Sequence, residues 1–198
     1  MKELILGGVR SGKSCLAERR ARESGLEVVY IATALARDDL ELQQRIERHR
    51  QRRPAQWITI EEPYQLGAAL RLHAAAERCI VVDCLTLWLT NLLYADDTSP
   101  PAKTDASRAT PTNASTLSVD GLSHLTAERA ALLDVLPDLP GDVIFVSNET
   151  GLGVVPRGEL TRRFIDEAGR LHQELARLCD RVIFTVAGLP QFLKGNQS

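Results

Sequence analysis

Apolar residues along the chain follow two alternating rhythms. Short, nearly unbroken apolar runs at Glu3–Leu6, Glu27–Ala32, Trp57–Glu61, Cys79–Asp83, Asp142–Ser147 and Arg181–Val186 read as strands. Ile80-Val81-Val82 and Val143-Ile144-Phe145-Val146 carry no polar break, as expected of strands covered on both faces. Between these runs, helical periodicity covers Ser14–Glu23, Asp39–Arg52, Tyr64–Glu77, Leu85–Leu93, Leu125–Leu136 and Glu159–Leu178. Strands alternating with helices predict an α/β domain with a mostly parallel central sheet. No internal repeat interrupts the alternation. One segment departs from it: residues 95–116 contain no Leu, Ile, Val or aromatic residue. Such a stretch cannot bury enough surface to offset its ordering entropy, so it reads as a solvated polar insertion.

Composition narrows the picture. With 198 residues, 44% hydrophobic and 25% charged, the chain has material for one complete core, and we read 1–198 as a single domain. The formal net charge of -2 argues against a general nucleic-acid binder, which presents a basic excess. No stretch approaches the roughly 18 apolar residues a membrane span needs, and the first apolar run is too short for a signal peptide. The four cysteines, Cys15, Cys79, Cys84 and Cys179, form no C-x-x-C pair and show no metal-ligand spacing with histidine. They read as reduced, mostly buried thiols of a cytoplasmic protein.

The first strand runs into Gly7-Gly8-Val9-Arg10-Ser11-Gly12-Lys13-Ser14, a complete G-x-x-x-x-G-K-[ST] motif that opens a helix. Glycines let backbone N–H groups converge on phosphate oxygens, and the helix N-terminus adds a favourable dipole. Lys13 supplies a point charge to the β- and γ-phosphates, and the Ser14 hydroxyl is suited to Mg²⁺. The chain holds only four lysines against 20 arginines, and Lys13 is the one placed well inside the predicted fold. A lysine retained where arginine is otherwise preferred fits a site that wants a compact charge. Cys79-Ile80-Val81-Val82-Asp83 is a buried strand ending in a carboxylate, at the sheet edge where open α/β folds bind ligands. Asp83 therefore reads as a holder of Mg²⁺, a role compatible with capping the following helix. Together the motifs predict a P-loop NTPase, a RecA-like three-layer sandwich around a mostly parallel sheet.

Between the second and third strands lies Arg45-Ile46-Glu47-Arg48-His49-Arg50-Gln51-Arg52-Arg53-Pro54. At about 100° per residue, Leu42, Ile46 and His49 share one helix face, which Pro54 ends. His49 reads either as a hydrogen-bonded core histidine or helix-end cation, or as a nucleophile facing a polyphosphate. Five nearby arginines favour the second reading, since such a concentration of charge is costly without an anion and guanidinium groups bind phosphate oxygens bidentately. Positive neighbours also favour neutral imidazole, while the helix C-terminus favours the cation. A solvated basic face and an RNA contact are the alternatives for the run.

Taken in order, these motifs resemble the bifunctional adenosylcobinamide kinase / adenosylcobinamide-phosphate guanylyltransferase family of cobalamin biosynthesis. The resemblance rests on Gly7–Ser14; on Tyr30-Ile31-Ala32-Thr33; on Arg45-Ile46-x-x-His49-x-x-x-Arg53-Pro54-x-x-Trp57; and on Glu61. It continues through Asp83-Cys84-Leu85-Thr86 with Thr90-Asn91-Leu92-Leu93, then Val146-Ser147-Asn148-Glu149-x-Gly151-x-Gly153-x-Val155-Pro156, and finally Phe164-x-Asp166-x-Ala168-Gly169-Arg170. It runs from the first strand to about Gly188, leaving out the insertion.

The resemblance implies two reactions. ATP or GTP phosphorylates the aminopropanol hydroxyl of adenosylcobinamide, and GTP then gives its GMP unit to that phosphate, releasing pyrophosphate. It implies that His49 carries GMP covalently. It also implies that Gly7, Gly8, Val9, Arg10, Ser11, Gly12, Lys13, Ser14, Thr33, Ala34, Leu35, Arg50, Gln51, Arg52, Arg53, Glu61 and Asp83 contact nucleotide, and that the protein is a homotrimer. Asn148 and Glu149, following the fifth strand at the same sheet edge, are expected to line the acceptor site. His73, His124 and His172 default to structural roles. Three rivals stay open: a small-molecule kinase without guanylyl transfer, a GTP-binding switch (for which an Asn-Lys-x-Asp motif is absent), and a RecA-like DNA-binding module.

Overall fold

A computed structural model describes residues 1–35, 43, 47, 50, 53–94 and 119–196. Seven strands form one sheet: β1 (Lys2–Gly7), β2 (Glu27–Ala32), β3 (Ile58–Glu61), β4 (Arg78–Asp83), β5 (Asp142–Asn148), β6 (Arg181–Val186) and β7 (Leu189–Lys194). Their spatial order is β3-β2-β4-β5-β1-β6-β7, all parallel except the last pair. The helices are α1 (Lys13–Glu23), α2 (Leu66–His73), α3 (Leu85–Tyr94), α4 (Val119–Val135) and α5 (Glu159–Leu178). Among the described residues no helix is long and apolar enough to cross a membrane.

Strand alternation sends successive side chains to opposite faces, and both faces are covered. Leu4, Leu6, Val29, Ile31, Ile80, Val82 and Phe145 pack with Trp88, Leu89, Leu132, Leu171 and Leu175 of α3, α4 and α5. Ile5, Val28, Tyr30, Val81, Ile144 and Val146 pack with Leu16, Ala17 and Ala21 of α1 and with Trp57. The result is the three-layer α/β sandwich that the continuous apolar runs imply.

The six strands expected from the sequence are all present, and no end shifts by more than one residue. The seventh, β7, is not legible from periodicity. It is an antiparallel edge strand containing Pro190, and proline is tolerated there because one side of the strand needs no ladder donor. Ala187 and Gly188, both with positive φ, turn the chain tightly from β6 into β7. Helix α2 is shorter than its periodicity suggests. The backbone becomes extended at Ala74, and the Ala75 carbonyl accepts from the Arg78 amide to lead into β4. Helix α4 begins earlier than expected, at Val119. The arginine-rich helix at Asp39–Arg52 and the insertion at 95–116 fall mostly or wholly outside the described residues; within the former, Gln43, Glu47 and Arg50 are helical.

Three of the four cysteines are buried and one, Cys15, is exposed. Burial pushes the thiols of Cys79, Cys84 and Cys179 up to about 12, about 11 and about 12. A thiol reagent at pH 8 will therefore modify one cysteine of the native protein quickly and four after denaturation, because only the thiolate attacks. Fast modification of two or more native thiols would contradict this burial.

Candidate active site

Strands β2 to β5 lie on one side of β1, and β6 and β7 on the other, so the chain changes direction at β1. Ligands bind at such a switch point, beyond the carboxyl ends of the strands. The loop Gly8–Gly12 leaves β1 there and enters α1 at Lys13. Gly12 adopts φ 97°, a left-handed conformation that favours glycine. A side chain on Gly7 would lie 2.5 Å from Ser11 Oγ and 2.6 Å from the Thr185 carbonyl. The loop is braced at both ends: the Ser11 amide donates to the Gly8 carbonyl, and the Gly188 amide donates to the Ser11 carbonyl at 2.8 Å. Lys13 is only 8% exposed, and its Nζ donates to the Gly8 carbonyl at 2.9 Å. The ammonium thus sits folded over the loop, beside the backbone amides that a phosphate chain would meet. Val9 and Arg10 are exposed on the outer side.

Sheet register assembles the rest of the site. Ala32 stands opposite both Glu61 of β3 and Asp83 of β4, so the two carboxylates occupy the same level two strands apart, roughly 10 Å. Asp83 is fixed by the Tyr30 hydroxyl, which donates to its Oδ2 at 2.7 Å. Burial, then the Asp83 charge, push the Tyr30 phenol well above its ordinary value, so it remains a donor. The Arg53 guanidinium lies 3.7 Å from the centroid of the same ring, and Trp57 stacks beside it. This aromatic platform ties the end of the arginine-rich segment to the carboxylate of β4. Its signal in the sequence is only an aromatic residue in a buried strand. The Ser14 hydroxyl and the Asp83 carboxylate are hard oxygen donors of the type Mg²⁺ prefers, and so few protein ligands suit an ion that also binds substrate phosphates.

Other expected nucleotide residues take varied positions. Thr33 is fully buried; its hydroxyl donates to the Cys84 carbonyl at 2.7 Å and also accepts from the Cys84 amide at 2.9 Å. Asn91 Nδ2 donates to the Thr33 carbonyl at 2.7 Å. Thr33 therefore locks the β2 and β4 ends together. Ala34 and Leu35 are half-buried beyond it, while Arg50 and Glu61 are exposed. His49, Gln51 and Arg52 lie outside the described residues.

Asn148 and Glu149 come to the same edge. The Glu149 amide donates to the Gly7 carbonyl at 3.0 Å, which joins this loop to the start of the phosphate loop. The Asn148 amide donates to Thr86 Oγ1 at 2.7 Å. Glu149 Oε1 accepts from the Gly151 amide at 2.6 Å, and Oε2 lies 3.6 Å from His172 Nδ1. His172, read from the sequence as structural, is thus buried directly against an expected acceptor-site residue. Burial lowers its imidazole below the ordinary value, and the Glu149 carboxylate pulls it back up.

A phosphate-binding glycine loop at the switch point, a strand-end carboxylate beside it, and a polar loop closing the same edge define a P-loop nucleotide-dependent enzyme. The chain belongs to the cobinamide kinase / cobinamide phosphate guanyltransferase family, whose model matches residues 3–193. It is 58% identical over 195 residues to a bifunctional adenosylcobalamin biosynthesis protein of Pseudomonas aeruginosa, covering 98% of each chain. A bifunctional adenosylcobalamin biosynthesis protein of Escherichia coli is 35% identical over 191 residues, covering 96% of this chain and 97% of the relative. Among solved structures, the flagellar accessory protein FlaH from Methanocaldococcus jannaschii aligns with a TM-score of 0.43 at 17% identity, over 98% of this chain and 78% of that one.

Proposed function

We propose that this chain performs both reactions of its family at the one sheet edge described above. In the first, the γ-phosphoryl group of ATP or GTP passes to the aminopropanol hydroxyl of adenosylcobinamide. In the second, GMP passes from GTP to the resulting phosphate by way of His49. The family match over residues 3–193 carries the two activities. The juxtaposition of Gly7–Ser14, Asp83 and Glu149 supports one shared nucleotide site.

In the kinase step the hydroxyl oxygen bonds to the γ-phosphorus, the bond to the β,γ-bridging oxygen breaks, and the nucleoside diphosphate leaves with that electron pair. The hydroxyl proton goes to Glu149. Most of the acceleration is positioning and charge neutralisation, which the loop amides and Lys13 supply. Mg²⁺, held by Ser14 and Asp83 when bound, would add further charge neutralisation at the phosphates. Leu152, Val154 and Val155 are exposed beside Glu149 and suit the apolar rim of a large acceptor. In the transfer step, neutral imidazole of His49 attacks the α-phosphorus, pyrophosphate leaves, and the acceptor phosphate then displaces the histidine. Arg50, Gln51, Arg52, Arg53 and Glu61 would hold the GTP, and on the same reading the protein is a cytoplasmic homotrimer.

Intact mass after incubation with GTP and Mg²⁺ tests the covalent step. Wild type is expected to gain one GMP unit that mild acid removes, because a phosphoramidate is acid-labile, and His49→Ala to gain none. No adduct on protein that binds GTP would leave a kinase without this intermediate.

A further inference from the structure

A chain of polar side chains, buried at Ser147 and His172 and half-buried at Thr86 and Glu149, runs beneath the acceptor loop. At one end the Asn148 amide, which can only donate, donates to Thr86 Oγ1 at 2.7 Å. Thr86 Oγ1 lies 3.3 Å from Ser147 Oγ, and Ser147 Oγ lies 2.8 Å from His172 Nε2. At the other end His172 Nδ1 lies 3.6 Å from Glu149 Oε2, longer than a direct hydrogen bond but close enough for the carboxylate charge to attract an N–H on that nitrogen. In the assignment that puts a donor toward the carboxylate, Thr86 donates to Ser147, Ser147 donates to Nε2, and Nδ1–H is directed at Glu149. The carboxylate thereby selects the Nδ1–H tautomer, and the serine holds the ring in place. His172 is 6% exposed and Ser147 1%, so the middle of the chain is shielded from water.

From this geometry we infer that His172 is a positioning residue for the kinase half-reaction, holding Glu149 ready to accept the proton of the substrate hydroxyl. The inference rests on the acceptor-site reading of Glu149. It separates the two reactions, since the phosphate that accepts GMP is already ionised and needs no base. His172 serves the first reaction and is dispensable for the second.

The two ring nitrogens allow a sharp test. In His172→Asn the side-chain amide reaches the place of Nδ1 and keeps a donor toward Glu149. In His172→Gln it reaches the place of Nε2, keeping Ser147 and abandoning Glu149. His172→Gln should lower kinase kcat about tenfold to hundredfold, part of what a general base supplies, with KM for adenosylcobinamide within about threefold. His172→Asn should recover most of that loss. Both should transfer GMP to adenosylcobinamide phosphate at rates within about threefold of wild type, which also shows that the variants fold.

Equal kinase losses in the two variants, or a matching loss of guanylyl transfer in folded protein, would reduce His172 to a packing role. Should His172→Gln not fold, Ser147→Ala removes the donor to Nε2 and is expected to lower kinase kcat alone; unchanged kinase activity there would overturn the inference. Glu149→Gln distinguishes the two levels of the reading. Loss of kinase activity in Glu149→Gln with full activity in His172→Gln sinks the positioning role only. Full kinase activity in Glu149→Gln sinks the acceptor-site reading and the positioning role together.

Discussion

Lys13→Ala will lower kcat/KM of both half-reactions by about a hundredfold to a thousandfold, the usual cost of removing one preorganised group from a site of developing charge. The ammonium is 8% exposed and 2.9 Å from the Gly8 carbonyl, so it waits within the cradle and need not be recruited from solvent. Phosphoryl transfer builds charge on the β,γ-bridging and γ-oxygens, and guanylyl transfer builds it on the departing pyrophosphate. A single cation over the phosphate loop serves both only if the same nucleotide pose is used. Lys13→Arg should recover little, because a planar fork does not reproduce a compact charge inside a loop this closely braced. Parallel steady-state assays of the two reactions make the comparison. A loss confined to one of them would mean that the reactions use separate nucleotide sites.

The second large effect concerns the opposite end of the sheet. Glu3 of β1 is fully buried, with Arg20 Nε of α1 at 2.7 Å from one oxygen and Arg181 Nη1 of β6 at 3.0 Å from the other. One carboxylate thus ties together the first strand, the helix that carries Lys13, and the neighbouring strand. Glu3→Ala removes the buried carboxylate that the Arg20 and Arg181 guanidinium groups share and should cost about 3–5 kcal/mol of folding free energy. Urea denaturation reads this as a fall in midpoint at constant slope. A cost below about 1 kcal/mol would show the group to behave like an exposed ion pair. Activity per folded molecule should survive, since Glu3 sits at the amino-terminal side of β1 and the phosphate loop at its carboxyl side.

Part of the site is legible in the order of residues alone. The phosphate loop needs only near neighbours: a glycine where a side chain would strike Ser11 and Thr185, a second at positive φ, then Lys13 and Ser14 on the first helical turn. Asp83 is legible as well, because a strand-end acid after an unbroken apolar run is a local pattern. The roles of Tyr30, Thr33 and His172 are not. Tyr30 reaches Asp83 across 53 residues and His172 reaches Ser147 across 25, and no periodicity records which of many buried polar groups will meet. Thr33, expected at the nucleotide, has its hydroxyl bonded to the Cys84 backbone across 51 residues.

By itself, then, the sequence determined the elements and the chemistry written within single segments: six strands, the central turns of the five helices named above, the phosphate loop and the strand-end acid. These depend on apolar period and on neighbours a few residues apart, which the chain carries locally. Only the tertiary structure decided the strand order that puts Asp83 level with Glu61, the edge position of β7, the Glu3 ion-pair cluster, and the approach of His172 to Glu149. Each of these is a pairing between distant segments, chosen by which faces can be buried together without leaving a polar group unsatisfied.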